Sequence, residues 1–178
     1  MNWFRVSIVF ILAIFFTKIV FSQKSDKQVF KDLENNIVVL LSSIKQERND
    51  SKKDSLNNQL LNLFRSILSN QSSFEYKFDS LKNIGKLSSQ DGNVKVFTWN
   101  IPYIKGTNKY YGFIQFKDSK RKIHFFELID TRENQRDPIN EILETSRWFG
   151  ALYYSIIDIN YKGTKYYVLL GFDPNNLY

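Results

Sequence analysis

The sequence predicts an α+β fold, in which an N-terminal amphipathic helical hairpin is followed by an antiparallel meander sheet of about five strands. Three observations predict this class. Before residue 70, apolar residues recur at three- and four-residue steps, the spacing of one helix face. After residue 72, short runs of aromatic and β-branched residues are separated by turn sequences. Nine of the ten tyrosines lie after residue 100, so the two parts of the chain also differ in composition.

The first 22 residues have the pattern of a secretory signal peptide. Arg5 precedes the apolar run "VSIVFILAIFFT", and the small residue Ser22 suits the last position before a cleavage site, with Val20 two positions earlier. We therefore expect the mature chain to begin at Gln23. An uncleaved membrane anchor is the alternative, but Lys18 ends the run short of the about 20 apolar residues that a span requires.

The composition excludes several chemistries. The chain contains no cysteine, which excludes disulfides, thiolate metal sites, a cysteine nucleophile and a lipid-modified cysteine. Its net charge of +7 falls to +5 once Arg5 and Lys18 are removed, because 23 basic and 18 acidic side chains then remain. Charge that is so mild and interspersed argues against nucleic acid as a partner. The densest basic cluster lies at an expected hairpin turn and comprises Lys117, Lys120, Arg121 and Lys122, with Asp118 among them.

Residues 23–71 form the expected helical hairpin. The apolar positions of its first helix are Phe30, Leu33, Ile37, Leu40, Leu41 and Ile44. Those of its second helix are Leu56, Leu60, Leu63, Phe64 and Ile67. The polar segment 45–54 separates the helices, and Ser51 and Asp54 have the spacing of a capping box. We expect the apolar face to pack against the chain's own sheet, and a helix of a partner protein is the alternative.

Residues 72–178 form the expected β-rich domain. Short connections favour antiparallel pairing of its strands in sequence order. The predicted strands are Val94–Trp99, Tyr110–Lys117, Lys122–Asp130, Leu152–Tyr161 and Lys165–Phe172. One helical turn is predicted over Leu81–Gly85. A short helix is predicted to begin with Asp137 before Pro138 and to end by Gly150, with the apolar positions Ile139, Ile142 and Leu143.

The sequence after the fifth strand predicts that a further strand is lacking. The turn "DPNN", Asp173–Asn176, normally leads into another strand, but only two residues follow it. A C-terminally truncated domain is the interpretation that we favour. The alternative is that the helical hairpin covers the open strand edge.

Catalysis is not favoured by the sequence, and no catalytic residue is predicted. His124 is the only histidine, and Glu127, three residues further along the same predicted strand, would face the other side of the sheet. We expect His124 to pack among aromatic residues. Asp130, Asp158 and Asp173 are the carboxylates that could act in pairs on a glycoside, although Asp158 is expected to face solvent.

Neither a metal nor a cofactor is predicted. One histidine and no cysteine exclude a histidine-rich metal site. The segment "NIGKLSS" has one glycine before its lysine and lacks the earlier glycine of a phosphate-binding loop.

Three pairs of tyrosines are the candidate binding residues. They are Tyr110 and Tyr111, Tyr153 and Tyr154, and Tyr166 and Tyr167. Because successive strand residues face opposite ways, one ring of each pair should point outward. Outward rings that align across neighbouring strands would form an aromatic strip for stacking on sugars or contacting a protein. Cross-strand aromatic pairing that only stabilises the sheet is the alternative.

Three segments carry a resemblance to a known group of proteins. They are "FDSLKNIGKLSSQDGNVKVFTWNIP", "RWFGALYYSI" and "KYYVLLGFD". Over about residues 74–176 the chain resembles uncharacterised exported proteins of Bacteroidota, which typically continue past the last of these segments into further strands. The resemblance implies an envelope-associated role, and it brings no activity and no catalytic residue.

We therefore expect an exported protein of the periplasm or outer surface, non-catalytic, with a structural or protein-binding role. A carbohydrate-interacting protein that uses surface tyrosines and carboxylates, including a hydrolase, is the alternative. The expected partner is an envelope protein or a polysaccharide. A membrane would be contacted only through the N-terminal segment, if that segment is not cleaved.

Overall fold

The computed structural model describes residues 26–135, 140–173 and 175. Its helices are α1, which is helical over residues 26–46, and α2, Asp50–Leu68. Its strands are β1 Gly85–Ser88, β2 Val94–Pro102, β3 Asn108–Lys117, β4 Ile123–Ile129, β5 Leu152–Tyr161 and β6 Thr164–Phe172. The predicted α+β class is confirmed. The predicted signal segment, with its cleavage between Ser22 and Gln23, lies outside the described residues.

The second helix begins earlier than the sequence predicts. Asn49 is the N-cap of α2, and its side-chain oxygen accepts a hydrogen bond of 3.0 Å from the backbone N–H of Lys52. The predicted capping box of Ser51 and Asp54 is therefore wrong, because both residues already lie inside the helix. Asp54 instead accepts a hydrogen bond from the hydroxyl of Tyr103, which ties α2 to the end of β2.

The strands form two sheets rather than one meander. β1, β2, β3 and β4 make an antiparallel sheet in that order, and β5 and β6 make a separate hairpin. The chain leaves the first sheet after β4, where Trp148 lies beside Asp130 in a parallel bridge. The chain returns to this sheet at β5, where the backbone N–H of Tyr153 donates a hydrogen bond of 3.2 Å to Thr98 Oγ1 on β2. The β5–β6 hairpin therefore lies against one face of the four-stranded sheet and does not extend its edge.

Small residues make this close approach possible. Gly85, Thr98 and Gly112 are successive partners across β1, β2 and β3. A Cβ atom at Gly85 would lie 2.7 Å from Thr98 Oγ1 and 3.0 Å from the carbonyl oxygen of Tyr153. The absence of a side chain at Gly85 therefore allows the backbone of β5 to approach the sheet.

The helical hairpin covers the other face of the same sheet. Alternation along β2 and β3 directs Phe97, Trp99 and Phe113 to this face, where they form a buried core with residues of both helices. Ile37 of α1 and Phe64 of α2 have no exposed surface. The prediction that the hairpin packs on the chain's own sheet is confirmed.

A smaller core lies beneath the β5–β6 hairpin. Tyr110, Leu128 and Trp148 are buried there, and Ala151 and Tyr153 pack against them. The four-stranded sheet is thus the middle layer between a helical cover and a strand cover.

Two predicted helical segments are wrong. Gly85 begins β1, so Leu81–Gly85 is not a helical turn. Over residues 140–150 the chain forms only the 3-10 turn Thr145–Arg147, and Ile142 is 97% exposed. A short helix needs an apolar surface to pack on, and Ile142 has none. The proposed start of that helix, residues 136–139, lies outside the described part of the chain.

Candidate functional site

Asp130 and Asp173, two carboxylates that end strands in the sequence prediction, are brought together by an arginine. Arg132 Nε donates to Asp130 Oδ1 at 3.2 Å, and its Nη1 donates to Asp173 Oδ2 at 2.7 Å. Its Nη2 donates to the carbonyl oxygen of Gly150 at 2.8 Å. The guanidinium also lies over the Tyr110 ring, 4.5 Å from the centroid. Arg132 is not predicted as a site residue, because nothing in the local sequence pattern indicates that it has two acidic partners.

This arrangement stabilises the fold and is poorly suited to acid–base chemistry. The side chains of Asp130, Asp173 and Arg132 are 9%, 11% and 16% exposed. The Tyr110 hydroxyl donates to Asp173 at 2.7 Å, and burial together with this carboxylate raises the pKa of Tyr110. A glycosidase needs one carboxyl free to carry a proton and the other free to attack or to activate water. Here the guanidinium occupies the space between the two carboxylates.

Asp158, the third candidate carboxylate, faces the protein and not solvent. Its two side-chain oxygens accept hydrogen bonds from the backbone N–H groups of Gln90 and Asp91, at 3.1 and 2.9 Å. Asp91 in turn accepts hydrogen bonds from Lys165 Nζ at 2.8 Å and from the Tyr167 hydroxyl at 2.9 Å. The expectation of a solvent-facing Asp158 is therefore wrong, because this carboxylate joins β5 to the loop between β1 and β2.

His124 packs on an aromatic ring, as predicted, but it also has an acidic neighbour. Its ring stacks on Phe116 with centroids 5.4 Å apart, within β3 and β4. Its Nε2 lies 2.9 Å from Asp118 Oδ2 in the turn between these strands. This contact, with backbone hydrogen bonds, lowers the pKa of Asp118. In the part of the chain described, no three His, Asp or Glu residues converge on a position that could hold a metal ion.

The three tyrosine pairs do not line up on neighbouring strands. Tyr110 is fully buried and Tyr111 is half-buried on β3, with both faces of that sheet covered. Tyr153 is also half-buried, and its hydroxyl accepts a hydrogen bond of 2.8 Å from Trp148 Nε1. The predicted aromatic strip is therefore not formed across the two sheets. The exposed member of the second pair is Tyr154, at a bulge of β5, and that of the third is Tyr166 on β6.

The exposed apolar surface instead lies on one side of the β5–β6 hairpin. Ile157 pairs with Val168 and Ile159 pairs with Tyr166, so alternation places these residues on the same face. We call this face the outer face. It consists of Ile157, Ile159, Tyr161, Tyr166, Val168, Leu170 and Phe172, which are between 38% and 58% exposed.

The sequence contained a signal for this face that was interpreted in the wrong sense. Along β5, Ile157 and Ile159 alternate with Asp158 and Asn160, and Asp158 was expected to face solvent. The alternation is inverted at Asp158, because its carboxylate binds two backbone N–H groups of the β1–β2 loop. Ile157 and Ile159 thereby lie on the side of β5 that is directed away from the protein.

A groove of about 740 Å³ lies on the helical side, between α1 and the 3-10 turn Gln71–Glu75. One of its acidic wall residues, Glu34, is only 2% exposed. The Glu34 carboxylate accepts hydrogen bonds from the Tyr76 hydroxyl at 2.6 Å and from the backbone N–H of Ser80 at 2.7 Å. Burial and this carboxylate raise the pKa of Tyr76. Glu34 therefore holds the segment after the 3-10 turn against α1.

The comparisons with known proteins give no indication of what the candidate site does. Matching against protein-family models, curated proteins and solved structures finds no match in any of the three. In the part of the chain that the structure describes, no helix is long and apolar enough to cross a membrane.

Proposed function

We propose that this chain is an exported, non-catalytic protein of the cell envelope that binds another protein through the outer face of its β5–β6 hairpin. The single observation that carries the binding proposal is the outer face itself. Seven large apolar side chains lie together there, each more than a third exposed. Monomeric soluble proteins seldom expose a contiguous apolar patch of this kind unless it binds something.

The hairpin is held in place by contacts on its inner side, which leaves the outer face free for binding. Tyr153 and Asp158 attach β5, while Lys165 and Tyr167 attach β6 through Asp91. A binding surface supported by a fixed scaffold loses little conformational entropy when a partner binds. These contacts support a recognition role for residues 157–172.

The engagement of the carboxylates supports the non-catalytic part of the proposal. Asp130 and Asp173 are both bound to Arg132, and Asp158 binds two backbone N–H groups. Carbohydrate binding without hydrolysis is the second candidate, and the exposed rings of Tyr161 and Tyr166 favour it as stacking surfaces. Of the six tyrosines predicted as binding residues, Tyr166 is the one that lies on the outer face and would contact a partner there.

Export and envelope location are part of the proposal and depend on the N-terminal pattern that ends at Ser22. N-terminal sequencing of the protein recovered from the periplasm or medium should begin at or near Gln23. Recovery only in the membrane fraction with Met1 retained would contradict the cleavage.

Photo-crosslinking in the exporting cell tests the binding role. A benzophenone side chain is placed at Tyr166, on the outer face, and in a second variant at Ile104, which is 74% exposed in the turn between β2 and β3. We expect a defined protein adduct from position 166 and none from position 104. Equal, diffuse labelling at both positions, or no adduct at position 166, would refute the protein-binding role. Specific retention of the chain by a polysaccharide, lost in Tyr166→Ser, would favour the second candidate.

A further inference from the structure

We propose that the chain forms a dimer beside the outer face, in which a second copy is joined to the first by antiparallel pairing of their β6 strands. This inference goes beyond the proposed function, because pairing at the β6 edges places the outer faces of the two copies side by side and leaves them open to a further partner. The result would be a continuous four-stranded sheet, β5–β6–β6–β5, whose outer side is apolar along its whole width.

The first argument is the free edge of β6. Lys162 and Gly163 have φ values of 50° and 79°, which are typical of a two-residue hairpin turn. In such a hairpin the two residues that flank the turn, here Tyr161 and Thr164, form a hydrogen-bonded pair. Hydrogen-bonded positions alternate from that pair, so the backbone N–H and C=O groups of Lys165, Tyr167 and Leu169 point away from β5. In the described part of the chain, no strand other than β5 pairs with β6.

The second argument is the absence of the usual protection of such an edge. Natural edge strands carry charged side chains, proline or bulges that prevent pairing with another chain. The register shift of the hairpin lies in β5, between Tyr153 and Ser155. Within Thr164–Phe172, the sole charged residue is Lys165, next to the turn, and there is no proline. The remaining segment "YYVLLGF" has strong β propensity and no charge.

The third argument is that β6 is complementary to itself. An antiparallel pairing centred on Val168 matches all of Thr164–Phe172 with its copy. Tyr167 then lies opposite Leu169 of the second copy, and both residues have outward backbone groups, so they can form hydrogen-bonded pairs. Val168 lies opposite itself at a non-hydrogen-bonded position, where Cα atoms approach to about 4.5 Å and side chains are closest.

The charges of the two strands do not oppose this register. Lys165 lies opposite Gly171 of the second copy, so the two Lys165 Cα atoms are six strand positions apart, or about 20 Å. That distance exceeds twice the Debye length of about 8 Å at physiological ionic strength, and repulsion between the two lysines is screened. Lys165 Nζ is in addition paired with Asp91 at 2.8 Å within its own chain.

Sedimentation velocity of the purified chain tests the proposal, over concentrations from about 1 µM to about 500 µM, a range that covers weak and ordinary dimers. We expect a concentration-dependent dimer and no larger species, because one pairing consumes both β6 edges.

A matched pair of variants identifies the interface. Val168→Lys places two lysines directly opposite each other at the centre of the pairing and removes the contact between the two valines, so we expect about a hundredfold weaker dimerisation. Ile157→Lys introduces the same charge at the residue of β5 that pairs with Val168. The two positions are similarly exposed, 44% for Ile157 and 38% for Val168, but Ile157 lies one strand further from the two-fold axis of the dimer. We expect less than about tenfold weakening from it.

Leu169→Pro provides a second disruption that adds no charge. It removes an outward N–H group, and edge strands tolerate proline where that group faces solvent. We expect loss of the dimer with retention of the hairpin, which circular dichroism and the unfolding midpoint would check.

The outcomes separate this inference from the proposed function. Equal weakening by Val168→Lys and Ile157→Lys would indicate face-to-face stacking and overturn the edge pairing. A chain that stays monomeric at every concentration, yet crosslinks at position 166 to a different protein, would overturn the dimer and leave the binding role standing. A crosslinked adduct with twice the mass of the chain supports the dimer.

Discussion

The two covers of the four-stranded sheet are held by different forces. On the helical side, the Phe64 ring stacks on Trp99 and Phe113 with centroids 5.0 and 5.5 Å apart, inside a core that water does not reach. On the hairpin side, the apolar core is small, and polar contacts such as the Arg132 ion pairs and the Asp158 hydrogen bonds hold the strands in place.

The difference shows how the hairpin can leave apolar residues exposed. An α-helix on a sheet buries its apolar stripe against that sheet, so helical residues such as Ile37 face inward. A two-stranded hairpin that is attached by its polar inner side keeps its apolar side free. The larger buried core therefore lies under the helical cover, while the hairpin cover carries the exposed apolar surface that we propose for a partner.

The largest effect is expected from the centre of the helical core. Phe64→Ala removes a ring that is 0% exposed and should lower the free energy of unfolding by about 3–5 kcal/mol. Urea denaturation measures it. The control Val39→Ala, at a helix position 62% exposed, should change stability by less than about 0.5 kcal/mol. A small loss for Phe64→Ala would mean that the helices are not tightly packed on the sheet.

The second largest effect is expected at the ion cluster beneath the hairpin. Arg132→Met leaves Asp130 and Asp173 buried without their cation and should cost about 3 kcal/mol in urea unfolding. Arg147→Met is the matched control, because the ion pair of Arg147 with Glu141 is solvent-exposed and should contribute less than about 1 kcal/mol. Equal losses from the two substitutions would contradict a stabilising role that is specific to the buried cluster.

A smaller effect is expected where the hairpin approaches the sheet. Gly85→Ala places a Cβ atom 3.0 Å from the carbonyl oxygen of Tyr153 and should destabilise the fold by about 1–3 kcal/mol. Amide hydrogen exchange should show faster exchange in β5 and β6 than in β2 and β3. If exchange in the variant became faster than in wild type by the same factor in all strands, or in none of them, the two covers would not respond independently. The control is Ser88→Ala, at the exposed end of β1.

The smallest effect on the free energy of unfolding is expected at Asp91, and it should depend on pH. Burial by itself would raise the pKa of Asp91, but hydrogen bonds from Lys165, Ser89 and Asn93 outweigh it and hold the pKa well below the usual value. A lowered folded-state pKa stabilises the fold above the unfolded pKa of about 3.9, and this stabilisation is lost as the pH falls through the folded-state pKa.

Asp91→Asn should therefore cost about 1 kcal/mol at pH 7, and the difference from wild type should shrink as the pH is lowered towards about 2. Urea unfolding of both chains across this range measures the difference. A difference that does not vary with pH would show that the charge of Asp91 does not contribute.

Local sequence patterns were sufficient for most of the elements. Helix periodicity predicted the residues that α1 and α2 bury, including Ile37 and Phe64, and the limits of Leu152–Tyr161 agree with the observed β5. β1 was missed because "GKLS" has one apolar residue, and its strand conformation depends on pairing with β2. Short segments of this kind are decided by tertiary contacts and not by propensity.

The candidate site could be predicted only in part. The tyrosine pairs directed attention to β5 and β6, but the division into two sheets depends on contacts far apart in sequence, such as Tyr153 with Thr98. The partners of Arg132 are likewise distant along the chain. No local pattern encodes which side of a strand will face a loop, and Asp158 was therefore assigned to the wrong side.

The central claim is that the outer face is open in the isolated chain and covered in its native setting. Because the chain contains no cysteine, single-cysteine variants report on this directly. Val168→Cys and the control Ile104→Cys are labelled with a membrane-permeant maleimide, first in dilute purified protein and then in the exporting cell. The account predicts equal labelling of both variants in dilute solution, and strong protection of position 168 but not of position 104 in the cell. Equal labelling of the two positions in the cell would contradict it.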